Sequence, residues 1–281
     1  MRVGQPSRTA IGAARHRAAH QVIDGGRIFA DPLALPILGE TADEVVRHAE
    51  ERPADGVLRM FLAARSRFAE DSLAVAVQRG VRQMVVLGAG LDTYAYRGVL
   101  RDRLHIFEVD HPVTQAWKRQ RLAEEGIVPP EQLTFAPIDF ERQSLAEGLA
   151  AAGFDASEAA FFIWLGVVPY LTEDAVWSTL RFIAGLPKGC QVVFDYGNPR
   201  DSLTPEMKAS HDERAARAAE LGEAWITYFD SDQLRANLMG LGFSEIEDLG
   251  PPAIVTRYIN PAATSIPGNG AHIVRAATST D

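Results

Sequence analysis

From about residue 82 the chain alternates between short apolar runs and longer stretches of helical length, and this alternation restricts the fold more than any other feature. The runs 83–87, 105–109, 133–138, 160–165 and 190–195 have the length and apolar content of strands buried on both faces. The intervals 113–125 and 173–186 are long enough for crossover helices. Parallel strands require such crossovers, so the pattern predicts a parallel sheet with helices on both faces. Two later candidates, 243–249 and 271–276, are joined by a loop rich in Pro and Gly. They fit a hairpin-like pair at the sheet edge and bring the expected count to seven strands.

Two segments stand outside this pattern. Residues 1–80 read as mainly helical, with a break at Asp31-Pro32. Residues 197–230 open with Asn198-Pro199, carry a long polar helix over 205–221 and end in Trp225, Tyr228 and Phe229. The economical arrangement for 1–281 is one domain, with a helical cap (1–80) on a doubly wound core (81–281). The insertion after the fifth strand would cover the C-terminal edge of the sheet as a lid.

Bulk properties narrow the partners. A net charge of -9 disfavours nucleic acid, whose phosphates call for a basic surface. Cys190 is the single cysteine, which excludes an intrachain disulfide and a thiolate metal cluster and fits a cytoplasmic setting. No apolar run reaches the roughly 18 residues of a membrane span. The first twenty residues contain Arg2, Arg8, Arg15 and Arg17 and no acid. They resemble a transit peptide in that respect, but read more simply as a helical arm of the fold.

The apolar run from Met84 ends in Gly88-Ala89-Gly90-Leu91-Asp92-Thr93. Glycines at 88 and 90 let backbone and ligand approach closely at the end of a buried strand. A dinucleotide fingerprint would place a third glycine at 93, where this chain has Thr. The turn therefore points to an adenosine-type cofactor without a pyrophosphate. Asp110 follows Gly90 by twenty positions and sits where such sheets place the acid that accepts from ribose hydroxyls, with Glu108 the second choice. Asp110 also has the position of a cap for a helix starting near Pro112, and spacing alone leaves both roles open. Asp139 ends the third strand and could accept from the adenine amine while the Phe140 backbone meets a ring nitrogen. A plain loop acid fits Asp139 equally.

Arg65 lies within the apolar arc of a helix over 58–79, between Phe61, Ala64, Phe68, Ser72 and Val75. A charge on a packed face needs a partner. That partner is either a structural carboxylate or the carboxylate of an amino-acid-like ligand. The segment Trp164-Leu165-Gly166 through Leu171 closes the fourth strand, and Tyr170 there fits either a reaction site or the core. His16 and His20 have i, i+4 spacing but no accompanying acid, so they read as surface or capping residues and no metal is expected. Neither a nucleophile elbow nor a phosphate-binding loop is present. Cys190 fits a small buried residue better than a nucleophile.

Taken together, Ser7-Arg8-Thr9-Ala10, Phe29-Ala30-Asp31-Pro32, Ala64-Arg65-Ser66-Arg67-Phe68, the Gly88–Thr93 block, Phe107-Glu108-Val109-Asp110-His111-Pro112, Asp139-Phe140, Gly153-Phe154-Asp155, Tyr170-Leu171 and Asp195-Tyr196 resemble the leucine carboxyl methyltransferase family. That family belongs to the class I S-adenosylmethionine-dependent methyltransferases and includes a bacterial small-molecule branch. The resemblance implies a Rossmann-like, seven-stranded, mostly parallel sheet. It also implies that Arg65 binds the cofactor carboxylate, Gly88 and Gly90 line its methionine portion, Asp110 holds ribose, and Asp139 with Phe140 holds adenine. Leu165 stands where the family usually has Glu, and Glu141 where its protein-methylating members carry Arg. The first loses or replaces one polar contact near the cofactor's amino group, and the second points away from a phosphatase C-terminus and towards a small-molecule acceptor.

The expected reaction is O-methylation of a carboxylate or hydroxyl. Arg8, Tyr170, Tyr196, Tyr228 and Arg257 are candidates for orienting the acceptor. His111, beside the cofactor acid, is the candidate base for a hydroxyl. Alternatives are an NAD-dependent oxidoreductase, which Thr93 disfavours, and a non-catalytic module that binds S-adenosylmethionine.

Overall fold

The computed structural model describes residues 7–139, 143–186 and 189–279. Helix α1 (Arg8–Asp24) begins at Ser7, whose side chain accepts the Ala10 N–H, and ends at Gly25 in the left-handed conformation. It therefore stops before the expected break, and Asp31-Pro32 instead precedes the short α2 (Ala34–Leu38). Helix α3 (Ala42–Glu50) opens with a capping box between Thr41 and Glu44. Helix α4 (Gly56–Gln78) completes the cap and leads to the sheet.

The core then runs β1 (Gln83–Leu87), α5 (Tyr94–Arg97), β2 (His105–Asp110), α6 (Pro112–Glu124), β3 (Leu133–Pro137), α7 (Leu145–Ala151), β4 (Ala160–Trp164), α8 (Glu173–Ala184) and β5 (Gln191–Gly197). It continues with α9 (Pro205–Glu220), α10 (Ser231–Gly240), β6 (Phe243–Leu249), α11 (Pro251–Ile254) and β7 (Ala271–Thr278). The sheet order is β3-β2-β1-β4-β5-β7-β6. The first five strands are parallel, and β7 is antiparallel to both β5 and β6. The last two strands pair as expected, but β7 inserts between β5 and β6. Their connection also holds α11 and a π-helical turn, Val255–Ile259, rather than a loop alone.

Side-chain alternation sends each strand into two cores. Met84, Val86, Ile106, Phe161, Ile163 and Val193 pack against the α1 and α4 face, where Ala64, Phe68 and Leu73 are buried. Val85, Phe107, Phe162, Trp164 and Phe194 pack on the other face, against Leu149, Val176, Leu180 and Leu234 of α7, α8 and α10. The chain leaves β1 for β2 on one side and returns to β4 on the other. This reversal opens a crevice at the C-terminal ends of β1 and β4, where doubly wound sheets bind ligands.

Candidate active site

Gly88 and Gly90 line this crevice with φ of 64° and 46°. A Cβ on Gly88 would stand 2.4 Å from Val167 Cγ2, and one on Gly90 3.0 Å from Ala10 Cβ. The turn after β4 and helix α1 thus come directly against the glycine turn. Asp110 ends β2 beside it, and its carboxylate accepts the Gly90 N–H at 2.5 Å and the His111 N–H at 2.6 Å. Burial pushes the Asp110 carboxyl above its ordinary range, against the downward pull of these two donors. Glu108, two positions earlier on the same face of β2, is fully buried against Lys118 Nζ at 2.7 Å, where burial raises it to about 7. The neighbouring His111 caps α6 by accepting the Val113 N–H on Nδ1 at 3.2 Å. Its remaining ring nitrogen then carries the proton, which does not suit a base in the neutral state.

Arg65 reaches from α4 to the end of β5. Its Nη1 donates to Asp195 Oδ2 at 2.7 Å, and Asp195 Oδ1 accepts the Gly166 N–H at 2.5 Å. Gly166 has φ of 71°, and a Cβ there would stand 2.8 Å from Arg65 Nη2. The guanidinium therefore lies close against the turn after β4. Among the described residues it makes no other hydrogen bond, so four of its five N–H groups remain for a ligand. The two sequence readings of Arg65 are compatible in this geometry. Leu165 packs half-buried against the α4-side core. Asp139 follows β3 in a half-buried position, while Phe140 and Glu141 lie outside the described residues.

The cap fixes the glycine turn through Asp31, which is wholly buried. Asp31 accepts from Arg17 Nε at 3.0 Å and from the Thr93 hydroxyl at 2.8 Å, and Arg97 stands 3.2 Å away. Arg17 also donates to Leu91 O at 2.5 Å, and Arg97 continues to Glu70 at 2.6 Å. Thr93 is thus a buried anchor between cap and core as well as a departure from a dinucleotide motif.

The segment after β5 reaches the start of α1 and the turn after β4. Glu223 accepts the Thr9 N–H at 3.0 Å and the Ser7 hydroxyl at 3.3 Å. Ile226 N–H donates to Pro169 O at 2.7 Å, and the Thr227 hydroxyl to Leu171 O. This places the Tyr170 hydroxyl beside Thr9 and the Trp225 indole, within electrostatic reach of Arg65, and its burial raises the phenol pKa. Among the described residues the buried Trp225 N–H makes no hydrogen bond of regular geometry, although it stands beside the Tyr170 hydroxyl. Trp225 meets the His211 ring edge-on at 5.7 Å, and His211 Nε2 lies 3.1 Å from the Tyr228 hydroxyl. Tyr228 in turn packs over Gly197, two residues beyond Asp195.

Three sequence candidates fall elsewhere. Tyr196 points into the opposite core, its hydroxyl donating to Asp248 at 2.6 Å, because side chains alternate along β5. Arg257 pairs with Glu247 at 2.9 Å on the exposed face of the π-helical turn. Arg8 is exposed at the start of α1. Asp195, Glu223 and Trp225 were not among the sequence candidates. Asp195, an acid ending an apolar strand, carried the same signal as Asp110.

Residues 10–184 match the profile of the leucine carboxyl methyltransferase family. The Bacillus subtilis protein YktD, named as a candidate S-adenosyl-L-methionine-dependent methyltransferase, is 28% identical over 279 residues, covering 90% of this chain and 91% of its own. A protein of the same description from Mycolicibacterium vanbaalenii is 33% identical over 273 residues, covering 89% and 81%. The crystal structure of a candidate methyltransferase from Thermobifida fusca shares the fold, with a TM-score of 0.59 at 16% identity over 99% of this chain and 97% of its own. With its motifs in family order on the sheet described above, the chain belongs to the leucine carboxyl methyltransferase family.

Proposed function

We propose that this protein transfers a methyl group from S-adenosylmethionine to an oxygen, carboxylate or hydroxyl, of a small-molecule acceptor. The observation that carries this reading is the convergence of Arg65, Gly90 and Asp110 in one crevice. The donor set suits the cofactor. Arg65 offers N–H groups to a carboxylate, Asp110 offers acceptor oxygens to ribose hydroxyls, and Asp139 stands at the next strand end for adenine.

The cofactor supplies an already activated methyl group, so the protein's own task is to orient the acceptor and exclude water. Thr9, Tyr170, Trp225 and Tyr228 are the candidates for that task. The tie from Glu223 to Ser7 and Thr9 holds the segment after β5 against the start of α1, which favours a compact acceptor over a protein chain. A carboxylate acceptor is ionised at neutral pH and needs no base. For a hydroxyl acceptor, His211 lies beside Trp225 and Tyr228, and His111 is engaged in capping.

Calorimetry with the demethylated cofactor tests the assignment. Wild type should bind it at micromolar concentration, and Asp110→Ala should weaken binding by about 1.5–3 kcal/mol, the scale of a charge-assisted hydrogen bond. No binding by wild type at millimolar concentration would overturn the reading.

A further inference from the structure

A second concavity lies in the cap, between α1, α3 and the start of α4. It is an open cleft lined by residues that include Arg15, His16, His48, Arg52, Asp55 and Arg59. On a chain of net charge -9 this concentration of basic side chains stands out. Most of their charge is committed. Arg15 is held by Glu40 at 2.9 Å, Arg59 by Asp24 at 2.7 Å, and Asp55 by Arg217 of α9 at 3.0 Å. Arg214, one turn before Arg217, also lies within electrostatic reach of Asp55 and has no carboxylate partner among the described residues. Arg52, a solvent-exposed residue of the lining, has no side-chain hydrogen bond or ion pair among the described residues either.

Five arginines therefore stand among four carboxylates, Glu213 lying 4.0 Å from Arg217 and within electrostatic reach of Arg214, and Arg52 and Arg214 form no ion pair among the described residues. His16 sits within this field with no hydrogen bond to its ring among the described residues. Burial, assisted by Arg59, Arg15 and Arg65 against the opposing Asp55, lowers it to about 4. A neutral imidazole offers one N–H to a ligand. Beside it, a Cβ on Gly12 would meet nothing within 4 Å, so that part of the cleft wall is bare helix backbone.

We propose that this cleft binds a small oxyanion, a carboxylate or phosphate group, with Arg52 supplying the uncommitted charge and His16 a donor inside the cleft. The cleft lining excludes Arg65, Gly90 and Asp110, so the proposal stands whether or not the chain transfers methyl groups, although Arg65 lies within electrostatic reach of His16. An anion in the cleft would offset the surrounding guanidinium field and raise the His16 pKa, which gives the experiment a residue-specific signal.

The test is NMR of histidine-labelled full-length protein titrated with inorganic phosphate and, separately, succinate, at ionic strength held constant with potassium chloride. The His16 ring resonance should move saturably, and its titration midpoint should rise. Tighter binding of phosphate identifies a phosphoryl ligand, and tighter binding of succinate a carboxylate. Arg52→Gln should weaken binding about fivefold, the scale of a solvent-exposed charge contact. His16→Gln serves as a second variant, read from the His48 resonance. Both variants should bind the demethylated cofactor as wild type does, which shows that they fold. Uniform, unsaturated movement of all seven histidines, or equal movement in Arg52→Gln, would overturn the proposal.

Discussion

Replacing Arg65 by Met separates the two roles that its position gives it. The side chains of Arg65 and Asp195 are only 11% and 7% exposed, and they meet at 2.7 Å. Removing one partner of a buried pair costs about 3–5 kcal/mol, because the other charge is left without compensation. Asp195 keeps one donor, the Gly166 N–H at 2.5 Å, so the loss should fall near the lower end, about 3 kcal/mol. Urea denaturation reads this directly. Adding Asp195→Asn removes the orphaned charge while keeping an acceptor for Gly166, so the double variant should recover at least half of the loss. Binding of the demethylated cofactor gives the second readout. If Arg65 also holds the cofactor carboxylate, the restabilised double variant still binds about 10–150-fold more weakly than wild type, the equivalent of about 1.5–3 kcal/mol. Recovery of both stability and affinity would refute the cofactor contact and leave Arg65 a purely structural cation. A single variant within 0.5 kcal/mol of wild type would refute the argument from burial.

Two further outcomes follow from the same geometry. Gly166→Ala places a side chain at φ of 71° and a methyl 2.8 Å from the Arg65 guanidinium, so it should cost about 1–2 kcal/mol in backbone strain and weaken cofactor binding together with stability; unchanged calorimetric affinity would contradict this. Glu108, raised to about 7 by burial, favours the protonated folded state, so its contribution to stability is present below about pH 4.5 and is lost as pH rises through 7. At about 1.36 kcal/mol per pH unit that loss amounts to about 3 kcal/mol, and Glu108→Gln should abolish it, read as the difference between the two urea-stability curves from pH 5 to 8.

The sheet was legible because its signal is local. Five apolar runs spaced by helical lengths leave little choice but parallel strands with crossovers. The place of β7 between β5 and β6 was not, since strand order is a long-range choice that a hairpin-like spacing does not encode. Asp110 and Arg65 were visible for a similar reason, one as an acid ending a strand and the other as a charge within an apolar helical arc. Tyr196 shows the limit of such reasoning. One step along β5 from Asp195, alternation turns it to the opposite core, and a one-residue error in facing moves a candidate from the site to the far side of the sheet. His111 was read for its neighbour, and its short-range duty as a helix cap competed unseen. The contacts of the segment after β5 had no local signature, because Glu223 and Thr9 meet across 214 residues.

That long tie has a bearing on how the protein is made. A ribosome releases α1 early, yet everything this helix grips appears later. Asp31, Glu40 and Arg59 follow first, then the Gly90 turn and Leu91, and Glu223 emerges only after β5 and α9 have been threaded out. Contacts so far apart in sequence form slowly, because a long loop must close before they return any stability. The five parallel strands are therefore out before the tie can form, while β6 and β7, which complete the sheet, follow Glu223. A chain halted before residue 223 would lack the tie between this segment and the start of α1.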